Sequence, residues 1–221
     1  MINTLDDYIR NSLPDYGDFA TNPNLTKKVD TQGHFLPFHG NTTVFLLSWE
    51  TKTQLRALQR ELYEQAGGLL SDPLEPDTFH MTLHDLVNGS PQDPTLPEKM
   101  AIAEARVKAL LAQWRDLPPL RMKTTRLFNM VNTSIVLGLR PADAESWRRL
   151  DELYLALEAV VPLGYGLTPH ITMAYFRPGT YSQEALLPLR GALQNVEPEL
   201  ELPMENLVFQ TFEDMNHYET E

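Results

Sequence analysis

Two copies of one short motif, His80-Met81-Thr82-Leu83 and His170-Ile171-Thr172-Met173, place an imidazole two residues before a hydroxyl. Side chains of an extended strand alternate between faces, so His80 and Thr82 point one way and Met81 and Leu83 the other, and the same holds for His170 and Thr172. If the two strands face each other, two imidazoles and two hydroxyls converge on one cleft. That set suits phosphate-ester chemistry. One neutral histidine takes a proton from the attacking water or hydroxyl, the other, as imidazolium, protonates the leaving oxygen, and the threonine hydroxyls donate to the non-bridging oxygens. The scheme requires no metal. A single strand histidine is more often structural than catalytic, so the weight lies in the duplication.

The elements that must hold these residues repeat as well. Asn41 to Ser48 is β-branched and apolar and predicts a strand; Thr51 with Gln54 then reads as a capping box for a helix with Leu55, Leu58 and Leu62 on one face, closed by Gly67-Gly68. The motif strand, Phe79 to Val87, follows. Thr95 and Glu98 open a second helix with Val107, Leu110, Leu111 and Trp114 along one stripe, and a third strand spans roughly Arg121 to Met130. The pattern restarts at Asn132-Thr-Ser-Ile-Val-Leu137, continues through a helix with Trp147, Leu150, Tyr154, Leu157 and Val161 on one face, and reaches the strand His170 to Phe176. A helix around Ser182 to Leu193, weakened by Pro188 and Gly191, and a strand from Asn206 to Phe212 complete it. His80 lies 39 positions after Asn41 and His170 lies 38 after Asn132, so the order β-α-β-α-β occurs twice in near register. The expected organisation is an irregular N-terminal arm over 1–40, with a short helix around Leu5 to Leu13, a first lobe over 41–131 and a second over 132–221.

Composition narrows the partners. The 221 residues suffice for one domain built from two halves, and no apolar run approaches the length of a membrane span. The opening MINTLDDYIRNSL is acidic and polar rather than signal-like, which predicts a cytoplasmic protein with no membrane partner. With no cysteine, thiolate metal sites and cysteine nucleophiles are excluded. A net charge of −12 repels long nucleic acid but leaves room for a small anion in a locally basic cleft.

Around the motifs, His84 continues the alternation of His80 and Thr82 and is expected on the cleft face as a substrate contact. Spaced four from His80 and followed by Asp85, it would serve as a metal ligand only on a helix, which this segment is not. Arg126 on the third strand, beside Arg121 and Lys123, and Arg177 after the second motif are the cations placed to offset a phosphate. Tyr165, between Gly164 and Gly166, and Phe38 in the arm are candidates to stack on a base. Tyr175 alternates to the core side, Trp114 and Trp147 read as core, His34 and His39 as surface or packing residues, and Glu213 to Glu221 as a solvated acidic end.

Paired H-x-T-hydrophobic motifs on two repeated halves resemble the two-histidine (2H) phosphoesterase superfamily, LigT-like, which includes 2′-5′ RNA ligases and cyclic nucleotide phosphodiesterases. From about Asp30 onward, Asp30-x-x-Gly33-x-x-x-Pro37-Phe38-x-Gly40-Asn41-Thr42 followed by Phe79-His80-Met81-Thr82 is similar to a bacterial branch of it with no settled function. The resemblance implies a bilobal α/β (α+β) fold with pseudo-two-fold symmetry and a central cleft. It implies His80 and His170 as the acid–base pair, Thr82 and Thr172 as phosphate ligands, and no cofactor. The chain departs from many relatives in having Ala174-Tyr175-Phe176 before Arg177 instead of an immediate basic residue. The expected activity is metal-independent hydrolysis of a 2′,3′-cyclic or 2′-5′ phosphodiester in a small nucleotide, cyclic oligonucleotide or short RNA end, by a monomer. The alternatives are a protein that binds nucleotides or RNA ends in the same cleft without turnover, and a zinc hydrolase using His80 and His84.

Overall fold

The computed structural model describes residues 1–10, 12–196 and 199–220. Its helices are α1 (Asp6–Arg10), α2 (Trp49–Ala66), α3 (Leu96–Trp114), α4 (Ala144–Glu158) and α5 (Gln183–Ala192). Its strands are β1 (Phe19–Ala20), β2 (His39–Leu46), β3 (His80–Gly89), β4 (Leu120–Met130), β5 (Ser134–Pro141), β6 (His170–Tyr175), β7 (Thr180–Tyr181), β8 (Glu199–Leu202), β9 (Leu207–Asp214) and β10 (His217–Thr220). The fold is a duplicated, bilobal α+β arrangement. Eight strands form one antiparallel sheet in the order β10-β9-β2-β3-β6-β5-β4-β8, and β1 pairs with β7 apart from it.

The two repeats are β2-α2-β3-α3-β4 and β5-α4-β6-α5-β9, and their third strands are exchanged: β4 lies against β5, and β9 against β2. Neither repeat therefore completes its half of the sheet alone. The first helix of each repeat also reaches across the middle, α2 to β6 and α4 to β3. On α2 the buried stripe is Leu55, Gln59, Leu62 and Ala66, at helical spacing. Its one polar member, Gln59, is satisfied by donating to the carbonyls of Leu74 and Met173, each at 3.0 Å, the second on β6 itself.

Local details differ from the sequence reading in instructive ways. The N-cap of α2 is Ser48, whose hydroxyl accepts from the Thr51 amide, not Thr51, so the helix begins a turn earlier than the capping box suggested. Thr95 does precede α3, but without a side-chain cap bond. Trp147 is 47% exposed, because the buried stripe of α4 runs through Ser146, Leu150, Leu153 and Leu157 and leaves it at the edge near the helix start. The first forty residues are more than an arm over the surface: they bury Phe19, Leu25 and Val29 in the main core. Asn11, within the short helix expected there, lies outside the described residues. The acidic end is also more than a solvated tail, since β10 adds an edge strand to β9 and Met215 is buried; Glu221 lies outside the described residues. Among the described residues no helix is long and apolar enough to cross a membrane.

Candidate active site

β3 and β6 meet at the centre of the sheet through a single bonded pair, Met81 with Ile171. These are the middle residues of the two motifs, and both are 0% exposed. In antiparallel strands that register sets His80 beside Thr172 and Thr82 beside His170, on the face opposite the buried pair. All four line a cavity of about 490 Å3. Each imidazole thus neighbours the hydroxyl of the other motif as well as its own.

Both strands carry a β-bulge directly after the threonine. Val44 pairs with Thr82 and Thr43 with His84, leaving Leu83 as the extra residue; Val136 pairs with Thr172 and Ile135 with Ala174, leaving Met173. A bulge reverses the alternation beyond it. The reversal sets two side chains on the face opposite to that expected from alternation. His84, expected on the open cleft face, is turned inward and is 1% exposed, in the wall of the cavity; Tyr175, expected on the core side, is turned to the cavity. The bulge in β3 likewise delivers Asp85, exposed, to the cleft.

The surroundings orient the histidines. The His170 Nδ1 lies 2.6 Å from the carbonyl of Thr168; a carbonyl only accepts, so Nδ1 carries the proton and Nε2 is the nitrogen left to gain or lose one. The ring of His80 makes the corresponding bond to the carbonyl of Thr78, again two residues earlier. Burial lowers the His80 pKa from 6.5 to about 4, with the neighbouring His170 and Lys52 acting in the same direction. Burial also lowers His170, but there the carboxylate of Asp85 opposes it. The Tyr218 ring stands edge-on to His80 at 5.1 Å between centroids.

A carboxylate ties down the loop before His170. Glu158, at the end of α4, accepts from the amides of Leu163 at 2.9 Å and Gly164 at 2.8 Å through one oxygen, and its other oxygen is 3.1 Å from Nε2 of His84. Tyr154 donates to the carbonyl of Tyr165, and the Asn3 side-chain amide donates to the Gly166 carbonyl and the Thr168 hydroxyl. His84 therefore serves as a buried partner of this anchor and does not present Nε2 to a ligand.

Of the other expected contacts, Tyr165 lines the cavity and is 59% exposed, while Phe38 lines it but is packed on Phe212, ring centroids 6.2 Å apart. Arg126 and Arg177 are not in the lining. Arg126 donates to the Leu193 carbonyl at the far side of β4, and Arg177 packs under Gly33 with Nε buried. Arg121 and Lys123 are engaged on the surface by Asp143 and Glu199. The cation among the cavity-lining residues is instead Lys28, its Nζ 4.9 Å from the Phe38 ring centroid. Nothing in the local pattern marked Lys28 or Tyr218, because each reaches the cleft from a segment distant in sequence. The repeated threonines two residues before each histidine, Thr78 and Thr168, were a legible signal for the carbonyls that orient the rings. Among the described residues, no three His, Cys, Asp or Glu side chains gather as a metal site.

The fold is shared with solved structures, LigT among them. A conserved protein of unknown function, ATU0111 from Agrobacterium tumefaciens, superimposes with a TM-score of 0.68 at 18% identity, over 92% of this chain and 93% of that one. Escherichia coli LigT complexed with 3′-AMP gives 0.52 at 15% identity, over 83% and 95% respectively. TT0787 of Thermus thermophilus gives 0.51 at 17%, over 82% and 94%. No protein-family model matches the chain, and no curated protein matches it.

Proposed function

We propose that the protein is a two-histidine phosphoesterase that hydrolyses a 2′,3′-cyclic or 2′-5′ phosphodiester of a small nucleotide or short RNA end. The observation that carries this reading is the Met81–Ile171 pair, which draws both His-x-Thr motifs onto one cavity wall about the pseudo-two-fold axis. A nucleotide complex of LigT, on the same fold, supports a nucleotide as the ligand.

The two environments distribute the roles. Burial holds His80 at about 4, which makes it the neutral base; His170, whose charged form the Thr168 carbonyl and the Asp85 carboxylate both favour, is the imidazolium acid. His80 takes a proton from water as the oxygen–phosphorus bond forms. The bond from phosphorus to one ribose oxygen breaks, and His170 protonates that oxygen. Thr82 and Thr172 donate to the non-bridging oxygens. A cyclic phosphate opens to a single phosphate monoester, whereas a 2′-5′ diester gives one fragment ending in a phosphate monoester and one leaving with the freed ribose hydroxyl; proton exchange with solvent resets the pair.

The test is hydrolysis of nucleoside 2′,3′-cyclic phosphates and 2′-5′-linked dinucleotides in EDTA between pH 3.5 and 9. The value of kcat/KM should rise with pH through about 4, as His80 loses its proton, and fall again through a limb below 6.5, as His170 loses its own. A rate that climbs steadily to pH 9, or that EDTA abolishes, overturns the mechanism. Ligand binding without product assigns the cleft to recognition alone.

A further inference from the structure

Asp85 is the one acidic side chain among the residues lining the cavity, and it makes no hydrogen bond or ion pair among the described residues. The bulge at Leu83 puts it there; unbroken alternation would have turned it away from the face of His80 and Thr82. Its charge is felt by His170 and by the hydroxyls of Tyr165 and Tyr218, which line the same cavity.

A free carboxylate repels a phosphate and must face another part of the ligand. It only accepts hydrogen bonds, and accepts two side by side most favourably. Guanine is the common base whose edge offers two adjacent N–H donors, at N1 and N2. Adenine and cytosine pair one amino group with a ring nitrogen lone pair, and the N3–H of uracil lies between two carbonyl oxygens, so each sets an acceptor against the carboxylate. Tyr165 supplies an exposed ring on which a base can stack, and Asn88, exposed on the same strand as Asp85, lines the same cavity with an amide donor for guanine O6. We propose that Asp85 makes this cleft selective for a guanine nucleoside, reading its N1–H and N2–H edge. The assignment rests on the nucleotide reading of the cleft.

The experiment compares kcat/KM for guanosine, adenosine, cytidine and uridine 2′,3′-cyclic phosphates in the wild type and in Asp85→Asn. The expected result is a preference for guanosine of about tenfold to a hundredfold, the worth of one bidentate base contact, falling toward one in the variant. No guanosine preference in the wild type, or a guanosine preference that survives Asp85→Asn, overturns the proposal and leaves the two-histidine reading standing; a loss common to all four substrates, expected from the field of Asp85 on His170, cancels in the ratio. If none of the four is turned over, calorimetric titration of the same ligands decides the matter separately from catalysis. Tighter binding of the guanosine ligand that Asp85→Asn abolishes supports the proposal, and equal or absent binding overturns it.

Discussion

His80→Ala and His170→Ala should each lower kcat by about 10²–10⁴-fold, the usual contribution of one general acid or base, with the fold retained. The double variant should be little slower than the worse single one. Proton removal and proton donation belong to one concerted displacement, and groups acting as a unit do not contribute additively. Single-turnover hydrolysis of the best substrate from the panel measures this, and a rate within tenfold of wild type for either variant removes that histidine from the reaction. Stability gives an independent check on His80. Its pKa is about 4 in the folded protein against about 6.5 in the unfolded chain, so between those values the unfolded state binds more protons. The contribution of a neutral His80 is fully present above pH 6.5 and is lost as pH falls toward 4. Denaturant midpoints of the wild type should therefore drop more steeply across that window than those of His80→Ala. Parallel slopes would show that the ring is not held neutral by its surroundings.

The second large effect concerns the seam. Ile171→Ala should cost about 2–5 kcal/mol, a large part of the roughly 5–15 kcal/mol that stabilises a typical domain. Ile171 is fully buried, and it forms with Met81 the bonded pair that joins the two halves of the sheet at its centre. Truncation leaves a cavity on the core face of β3 and β6, directly behind the point where each imidazole is set against the other motif's hydroxyl. Urea unfolding followed by circular dichroism reads the loss, and the specific activity of the folded fraction should fall as well. Ile102→Ala, on an exposed site of α3, is the control and should change stability by about 0.5 kcal/mol or less. Equal costs at the two positions would mean that the seam is not a principal tie between the halves.

Much of the site was legible before the fold. The two motifs, their strands, the burial of Met81, Leu83, Ile171 and Met173, and the helices between them follow from local periodicity, which is set by backbone geometry over a few residues. The misreadings of His84 and Tyr175 share one cause, the bulges at Leu83 and Met173. An extra residue in a strand leaves no mark on an apolar run, because only the partner strand reveals it. Arg126, on the third strand, and Arg177, just after the second motif, are absent from the lining, whereas Lys28 lines the cavity from the N-terminal segment and Tyr218 from the far edge strand.

The sequence by itself determined that the chain is a duplicated α+β protein carrying an imidazole and a hydroxyl on one face of each of two strands. Tertiary structure decided that motifs 90 positions apart meet at Met81 and Ile171, that β4 and β9 are exchanged between the repeats, and that Asp85, Lys28 and Tyr218 join the cavity. The physical reason is range. Strand and helix periods are imposed by bonds between near neighbours, whereas register across a sheet and the inward turn of a bulged strand are set by packing between segments that only the folded chain brings together.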